Sequence, residues 1–245
     1  MSAGSTNRFE LAAKLVGYRN SKRYRFRGEF LFQGIPVAHA RLLEIGCGAG
    51  AWAIWAALNR AQKVLGIEPE VEGSSAHSLE RFRRNIETLG LTEQVTAQRC
   101  TLQELPASQN GFDIAIMYNV INHLDEDAVT RLHQDATAVE RYVILLSKLH
   151  THLAPDGWVV VADCGRDNFW TRFGLPSPFM PDIEWHKHQN PQTWIDVFTR
   201  AGFGLVDLRW SPLNPFPRLT GNQFVEYLTC SHFVLRFKAS KPEAS

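Results

Sequence analysis

The sequence predicts a doubly wound α/β fold, with a mostly parallel sheet between two layers of helices and an antiparallel hairpin at one edge. Three observations predict it. Short apolar runs alternate with amphipathic segments from Arg41 onwards. One run, Phe112–Tyr118, is apolar almost throughout, as a strand that is covered on both faces requires. A glycine-rich turn directly follows the first apolar run, where such folds bind ligands.

The apolar runs give the strands in chain order. They are predicted at Arg41–Ile45, Lys63–Ile67, Gln94–Arg99, Phe112–Tyr118, Trp158–Ala162, Phe203–Trp210 and Cys230–Phe237. The last two form the expected hairpin, and the chain from Lys238 is predicted to be loose. A Pro-Asp-Gly turn at residues 155–157 is expected to precede the fifth strand.

The helices are predicted from 3.6-residue periodicity and from their end signals. They are expected at residues 9–17, 51–59, 79–89 and 191–201, with Gly90 and Gly202 at C-terminal caps and Pro191 near an N-terminus. A longer helical stretch at 125–153 has a polar middle, Thr130–Glu140, which predicts a break. A polar loop is expected at Glu70–Ser78 and a Pro/Asn-rich insertion at Ser211–Asn222.

Composition narrows the class of protein. The chain has 245 residues, 44% of them hydrophobic, and a formal net charge of +1, which suits one globular domain and gives no overall field for nucleic acid. Its four cysteines, Cys47, Cys100, Cys164 and Cys230, include no C-x-x-C pair, so neither a zinc site nor a disulfide framework is expected. No apolar run could span a membrane and the first residues do not resemble a signal peptide, so we expect a cytoplasmic protein.

Three parts of the chain are distinguished. Residues 1–37 are predicted to be a basic and aromatic lid, and residues 38–238 the main domain, with an inserted substrate loop at 163–190. Between Lys14 and Arg27 there are six basic residues and no acid, with three aromatic residues interleaved. This segment is either a solvated helix face, a lid over an anionic or sugar-like substrate, or a grip for nucleic acid.

The glycine turn carries the most specific signal. Gly46, Gly48 and Gly50 are two residues apart, and Glu44 stands two before the first. The dinucleotide pattern G-x-G-x-x-G is spaced differently. The arrangement resembles motif I of the class I S-adenosylmethionine (SAM)-dependent methyltransferases. The resemblance covers almost all of residues 38–238 and implies a seven-stranded fold, a methyl-transfer activity and SAM as cofactor.

Cofactor contacts follow from that resemblance and from the ends of the strands. Glu44 is expected to favour the cationic part of SAM, directly or through water, and Glu68 to accept hydrogen bonds from the ribose diol. The resemblance to motif IV places Asn119 near the methionine part of SAM and facing the acceptor. The predicted cofactor-binding residues are Glu44, Gly46, Cys47, Gly48, Gly50, Glu68, Pro69, Thr101, Leu102, Asn119 and Val120.

Three histidines are candidates for a general base, because a neutral hydroxyl acceptor loses a proton on methylation. His186 and His188 are favoured as a pair, because their loop is expected to lie over the strand ends. His123 follows the fourth strand and contacts either acceptor or cofactor. Any lone histidine at such a position is more often structural. His150 and His152 are interpreted as surface or packing residues.

A catalytic metal is not predicted. Asp163, Asp167 and Glu184 are oxygen ligands of the kind that Mg²⁺ uses, but they form no recognisable signature. The loop also carries aromatic residues that are expected to form a cap, namely Trp170, Phe173, Phe179 and Trp185. The alternative is local packing of a long loop. Trp52 and Trp55 are expected in the core.

The leading hypothesis is a SAM-dependent O-methyltransferase of a natural-product or glycan-type small molecule. The chain has Asn119-Val120-Ile121-Asn122 where many enzymes that methylate exocyclic or amide nitrogen carry (D/N)-P-P-(Y/F), so DNA-base and glutamine-amide methylation are disfavoured. An amine acceptor stays open. The alternatives are a methyltransferase of RNA or protein, a non-catalytic SAM-fold subunit, and an NAD-dependent oxidoreductase, which the glycine spacing and Glu44 disfavour.

Overall fold

A computed structural model describes residues 3–70, 77–211 and 222–240, with side chains from residue 7 onwards. Most of the predicted loop Glu70–Ser78 and most of the predicted insertion Ser211–Asn222 therefore lie outside the described residues. Residues 241–245 of the tail lie outside them as well. In the described part of the chain, no helix combines the length and the apolar character that crossing a membrane requires.

The predicted sheet is confirmed. Over the described residues it has seven strands, in the order β3-β2-β1-β4-β5-β7-β6. Neighbours β1–β2, β1–β4 and β2–β3 are parallel, and β6–β7 is the antiparallel pair. The strands are β1 Arg41–Ile45, β2 Lys63–Ile67, β3 Val95–Gln98, β4 Phe112–Tyr118, β5 Leu153–Cys164, β6 Phe203–Trp210 and β7 His232–Ala239.

The helices of the described residues are α1 Ala3–Leu15, α2 Ser21–Leu31, α3 Ala51–Leu58, α4 Ser78–Thr88, α5 Glu126–Val129, α6 Ala136–His152, α7 Phe169–Arg172, α8 Pro191–Arg200 and α9 Gln223–Leu228. Short 3-10 turns occur at Ile121–His123 and Trp185–Lys187. The contacts divide the chain into two compact units. The first comprises Met1–Met117 and His152–Trp158, and the second comprises Tyr118–Thr151 and Val159–Ser245.

The core of the first unit is built on α3. This helix is apolar along its whole length, and it packs on β1 and β2. Trp52 and Trp55 are 2% and 5% exposed, which confirms that both belong to the core. Because α3 begins directly after the glycine turn, its burial fixes the position of that turn.

The N-terminal part differs from the prediction of one short helix at residues 9–17. Two helices are present, α1 and α2, and Asn20 caps α2 by accepting a hydrogen bond from the Arg23 N–H at 2.9 Å. The basic segment therefore lies largely on a helix. No helix was predicted at α2, because its buried face is narrow and consists of Tyr24, Gly28 and Leu31 among basic residues.

The second unit contains the predicted break in the long helical stretch. The helix α5 ends at Val129 and α6 begins at Ala136. Asp125 caps α5 through a hydrogen bond from the Ala128 N–H at 3.0 Å. The break is confirmed at residues 130–135, while the rest of the polar stretch belongs to α6.

The prediction for the fifth strand was wrong at its start. A turn was expected at Pro155-Asp156-Gly157, but β5 runs from Leu153 to Cys164. Gly157 serves close packing there, because a Cβ at this position would lie 2.9 Å from the Ala154 carbonyl oxygen and 3.2 Å from that of Phe112. The last strand is also displaced: β7 begins at His232 rather than Cys230 and continues to Ala239, within the tail that was predicted to be loose.

Candidate active site

Glu44 is the buried acid of β1. It is 3% exposed, and its two oxygens accept hydrogen bonds from the N–H groups of Trp52 at 3.2 Å and Ala53 at 2.7 Å, in the first turn of α3. Burial raises the pKa of Glu44 to about 8, because the two N–H groups only partly replace the lost water. The acid therefore anchors the helix behind the glycine turn, and its effect on the cationic part of SAM stays a prediction.

The glycine turn has a backbone that side chains disfavour. Gly46, Gly48 and Gly50 all have left-handed φ angles, of 65°, 50° and 80°. A Cβ on Gly50 would overlap the ring of Phe82, whereas a Cβ on Gly48 would meet no atom within 4 Å. Gly50 is therefore required by packing as well as by conformation. Gly48 leaves open space beside the backbone, which is the room that a closely approaching ligand needs.

Glu68 directly follows β2 and is fixed against the glycine turn. It is 7% exposed, Oε2 accepts a hydrogen bond from the Gly48 N–H at 3.0 Å, and Oε1 accepts one from the Glu70 N–H at 3.4 Å. An ionised carboxylate has about four acceptor sites, so two remain for a pair of hydroxyl groups. The open backbone at Gly48 and this oriented acid fit the ribose of a nucleoside cofactor.

The other predicted cofactor residues of the first unit vary in accessibility. Leu102 is 1% exposed and Cys47 is 4% exposed, and burial raises the pKa of the Cys47 thiol. Thr101 is half-buried, and its N–H and hydroxyl donate to the Glu104 carboxylate at 2.8 and 3.0 Å. Pro69 is half-buried. Their contacts with SAM stay predictions.

A cavity of about 330 Å³ lies in the second unit. Its walls are formed by the turn after β4, by the end of β5 and by the loop before α8. The lining residues are Asn119, Asn122, His123, Asp163, Cys164, Phe179, Met180, Pro181, Asp182, Ile183 and His188. Of the three predicted base candidates, His123 and His188 line this cavity and His186 does not.

Asn119 and Val120 form the turn that leaves β4. Asn119 is exposed and has a left-handed φ of 54°, and its N–H donates to the Ala162 carbonyl at 2.8 Å. The Val120 carbonyl accepts the N–H of His123 at 2.8 Å. This turn holds the Asn119 side chain at the cavity.

His188 and Asp163 form a buried pair on the cavity wall. The His188 side chain is 10% exposed, and its Nδ1 lies 3.1 Å from Oδ1 of the fully buried Asp163. The same oxygen accepts the N–H of Cys164 at 2.8 Å. Oδ2 of Asp163 is buried and has no hydrogen-bond partner among the described residues. The pair thus has the arrangement of a histidine that a carboxylate orients.

His123 belongs to an exposed ion-pair group at the cavity. Its Nδ1 lies 2.7 Å from Oε1 of Glu126, whose other oxygen accepts a hydrogen bond from Lys187 at 3.0 Å. These two partners lower the pKa of Glu126. His123 is about half exposed, so water competes with it for any substrate proton.

His186 has a different environment although it is two residues from His188. It is exposed, and its carbonyl accepts a hydrogen bond from the Arg166 guanidinium at 3.4 Å. The short 3-10 turn Trp185–Lys187 directs the two histidines differently. The sequence pattern could not separate them.

The predicted aromatic cap is partly a local cluster. The ring of Trp170 lies 6.3 Å from that of Phe179, and Phe169 contacts both Trp170 and Phe173. Phe179 lines the cavity, while Phe173 does not and is 62% exposed. The ring of Trp185 lies 6.0 Å from that of His188.

The acids considered for a metal have separate partners. Asp163 bonds to His188, Asp167 accepts the Asn190 side-chain amide at 2.6 Å, and Glu184 pairs with Lys187 at 2.8 Å. Within residues 3–70, 77–211 and 222–240, no group of three or more metal-ligating side chains converges.

Sequence reasoning missed two features of this site. Asn122 lines the cavity with a buried Oδ1 that has no partner among the described residues. The pairing of Asp163 with His188 was also missed. The position of Asp163 at the end of a parallel strand was a usable signal, whereas its partner 25 residues later had none.

The family is shown by the sequence itself. The model of a methyltransferase domain family matches residues 16–208, which is most of the chain. None of the curated protein sequences matches the chain.

Solved structures share the fold. An S-adenosylmethionine dependent methyltransferase from Mesorhizobium loti is 19% identical with a TM-score of 0.60, over 86% of this chain and 97% of that one. Geranyl diphosphate C-methyltransferase from Streptomyces coelicolor A3(2) is 13% identical with a TM-score of 0.63, over 93% and 83%. The StiE O-MT structure is 14% identical with a TM-score of 0.58, over 91% and 75%.

At such identities the likeness establishes the architecture, and the family model supplies the activity. The seven-stranded sheet of the described residues, the glycine turn after β1 and the match over residues 16–208 agree. The chain belongs to the methyltransferase domain family and is a class I SAM-dependent methyltransferase.

Proposed function

We propose that this enzyme methylates a hydroxyl oxygen of a small molecule of natural-product or glycan type, bound in the cavity of the second unit. The single observation that carries the proposal is the Asp163–His188 pair on the cavity wall. SAM, when bound, supplies a methyl group that its sulfonium already activates. The protein then has to hold the acceptor and remove its proton.

The pair determines which nitrogen of His188 is basic. A carboxylate only accepts hydrogen bonds, so the contact with Asp163 Oδ1 places the ring proton on Nδ1. Nε2 then carries the lone pair and takes the proton of the acceptor hydroxyl as the oxygen gains the methyl group. The negative charge of Asp163 stabilises the imidazolium that results.

The base favours a hydroxyl acceptor over an amine. A hydroxyl loses its proton on methylation, whereas a neutral amine attacks through its own lone pair and does not need the base that His188 provides. Asp163 Oδ2 and Asn122 Oδ1 are buried without a partner among the described residues, so they are closed to a ligand in the cavity.

The lining segment 179–183 is apolar except for Asp182. Its apolar residues are Phe179, Met180, Pro181 and Ile183, and the cavity volume of about 330 Å³ is at the lower end of the range for small-molecule sites. An apolar segment together with a few polar groups suits a natural-product ring or one face of a sugar.

The basic N-terminal segment offers less support for an RNA acceptor. Tyr24 is fully buried and donates to the Ala51 carbonyl at 2.5 Å, and the ring of Tyr18 lies 5.0 Å from that of Tyr24. The Arg25 guanidinium lies 4.0 Å from the Phe9 ring centre. These groups are used within the first unit, so they are not presented for base stacking. A lid role for residues 1–37 stays part of the proposal.

The test compares His188→Gln with His186→Gln, since the two histidines share one loop but only His188 lines the cavity. Methyl transfer from labelled SAM is measured with a panel of phenols, alcohols and monosaccharides. We expect His188→Gln to lower kcat by about 10²–10⁴-fold, the usual contribution of a general base. We expect the kcat of His186→Gln to stay within about twofold of the wild-type value, because His186 is exposed and surface substitutions have small effects.

Calorimetric titration with S-adenosylhomocysteine controls for the fold, and both variants should bind it as the wild type does. A fully active His188→Gln variant would remove His188 as the base. Methylation of amines alone would replace the hydroxyl acceptor, and a salt-dependent affinity for RNA would favour the nucleic-acid alternative.

A further inference from the structure

The side chain of Asn119, in a strained turn, is hydrogen-bonded to a chain of two further side chains. Neither of them has a role in the proposed reaction. Asn119 has a φ of 54°, a region that asparagine tolerates better than most residues but still at a cost. Its Oδ1 lies 3.2 Å from Nε2 of His232, and the Nδ1 of that ring lies 2.5 Å from the Ser211 hydroxyl oxygen. His232 is 6% exposed and Ser211 is 2% exposed, so these two members are shielded from water, while Asn119 is exposed at the cavity.

The three groups have a consistent direction of hydrogen bonding. An amide oxygen only accepts, so Nε2 of His232 carries the ring proton and donates to Asn119. In neutral histidine Nδ1 is then an acceptor, and it receives the hydroxyl proton of Ser211. The Nδ2 amide of Asn119, with two N–H donors, is left with no partner among the described residues, and Asn119 lines the cavity.

The edge hairpin fixes the ring of His232 by its backbone. Ser211 directly follows β6, and its N–H donates to the His232 carbonyl at 2.9 Å. The buried carboxylate of Glu226 accepts the N–H of His232 at 3.2 Å, and the Glu226 carbonyl accepts the N–H of Ser231 at 2.7 Å. His232 is therefore held by hydrogen bonds to its backbone and by hydrogen bonds to its ring.

We propose that His232, supported by Ser211, is a positioning residue that orients the Asn119 amide so that its Nδ2 donates to the methyl acceptor. This inference rests on the proposed function and deepens it. With Asn119 as a donor and His188 as a base, the cavity recognises an acceptor that has a second, hydrogen-bond-accepting oxygen besides the reacting hydroxyl. Without His232 the amide is free to turn, and it presents either its oxygen or its nitrogen to the acceptor.

The geometry is tested first without any acceptor. A long-range ¹⁵N–¹H correlation spectrum of labelled protein should show His232 protonated at Nε2 and unprotonated at Nδ1. Protonation at Nδ1 alone would overturn the proposed direction of the hydrogen bonds, whatever the enzyme methylates. Because this readout is independent of turnover, it separates failure of this inference from failure of the proposed function.

The kinetic test uses three variants and one matched control. His232→Phe keeps a ring of similar size but removes both polar atoms, His232→Gln restores a donor towards Asn119, and Ser211→Ala removes only the support. His150→Phe is the control, because His150 lies in the same unit, its Nε2 contacts the Ser240 carbonyl at 3.0 Å, and it does not line the cavity. Phenol and 2-methoxyphenol are the paired probes, since they differ by a methoxy group, whose oxygen is a hydrogen-bond acceptor.

In the wild type we expect 2-methoxyphenol to have a lower KM than phenol. His232→Phe should raise the KM for 2-methoxyphenol about 3- to 10-fold, as loss of one hydrogen bond does, with a much smaller change for phenol. His232→Gln should recover most of the effect, Ser211→Ala should show a smaller increase, and the affinity for S-adenosylhomocysteine should not change.

Three results would overturn the proposal. The first is a wild-type enzyme that does not prefer 2-methoxyphenol, which removes the proposed acceptor class. The second is a His232→Phe variant that loses stability but keeps the ratio of the two KM values, which makes His232 a structural residue only. The third is a loss of S-adenosylhomocysteine affinity in that variant, which assigns Asn119 to the cofactor instead.

Discussion

The glycine turn of the first unit and the cavity of the second unit are built in opposite ways. In the first, the contacting groups all belong to the segment from β1 to the end of β2: Glu44 bonds to Trp52 and Ala53, and Gly48 bonds to Glu68. In the second, Asp163 meets His188, and Asn119 meets His232 more than a hundred residues later. The first site is therefore encoded by a local motif, and the second by the tertiary fold.

Both regions use left-handed backbone, but they differ in the residue that adopts it. Glycine supplies it in the first unit at little cost, because it has no Cβ. In the second unit Asn119 does so, and its amide is also a hydrogen-bonding group. The glycine turn has no side chain at its left-handed positions, whereas the turn at the cavity has the Asn119 amide, which is the group proposed to discriminate between acceptors.

The largest effects should come from the glycine turn. Gly50→Val introduces a side chain at a φ of 80° and into the ring of Phe82, so it should lower the free energy of unfolding by about 2–5 kcal/mol. Gly48→Val meets open space and should cost only about 1–2 kcal/mol, yet it should abolish binding of S-adenosylhomocysteine. Urea unfolding and calorimetry measure the two quantities. Equal stability losses, or normal binding by Gly48→Val, would contradict this division of roles.

The next effect is a pH dependence that originates at Glu44. Its folded-state pKa of about 8 lies above the ordinary value of 4.5, so the folded state holds the proton more tightly than the unfolded state. Its stabilising contribution should be complete below about pH 4.5 and should be lost as the pH rises to about 8, with a total of a few kcal/mol. Unfolding free energies across this window should decline less steeply in Glu44→Gln. The exposed Glu87→Gln is the control, and equal slopes in wild type and Glu44→Gln would exclude Glu44 as the source.

The smallest effect on stability should come from the aromatic residues of the second unit. Phe179 and Phe173 are 55% and 62% exposed, but only Phe179 lines the cavity. Both alanine variants should change the free energy of unfolding by less than about 1 kcal/mol. Phe179→Ala should raise the KM of the acceptor about 10-fold, through the loss of about 1.5 kcal/mol of apolar contact, and Phe173→Ala should not. Equal KM values for the two variants would mean that the cavity does not bind the acceptor.

Much of the first unit was predictable from the sequence. The bounds of β1, β2 and β4 agree with the predicted ones, because each is a short apolar run with clear end signals. The start of β5 was not predictable, because Gly157 looks like a turn residue until its close approach to other backbone carbonyls is known. The second helix of the N-terminal segment was obscured by its basic residues.

The candidate base also could not be identified from the sequence, although the two candidates lie in one loop. His186 and His188 are equivalent in the sequence, and both stay in the set of predicted catalytic residues. Only the turn Trp185–Lys187 distinguishes them, because it leaves His186 exposed and brings His188 against the buried Asp163. His232 and Ser211 carried no signal, since neither lies in a motif or at the carboxyl end of a parallel strand.

The sequence by itself determined the fold class and the glycine turn with its acid, since hydrophobic periodicity and residue spacing along the chain record local backbone geometry. The methyltransferase assignment came from the resemblance of that turn to a family motif and from the family match over residues 16–208. The tertiary structure alone decided that Asp163 orients His188, that the buried oxygen of Asn122 has no partner among the described residues, and that Ser211 and His232 reach Asn119. The two contacts join residues that share no sequence motif, and all three features depend on which strands are neighbours in the sheet and which way each side chain points. Hydrophobic periodicity and residue spacing do not report the order of the strands or the direction of a side chain in a loop.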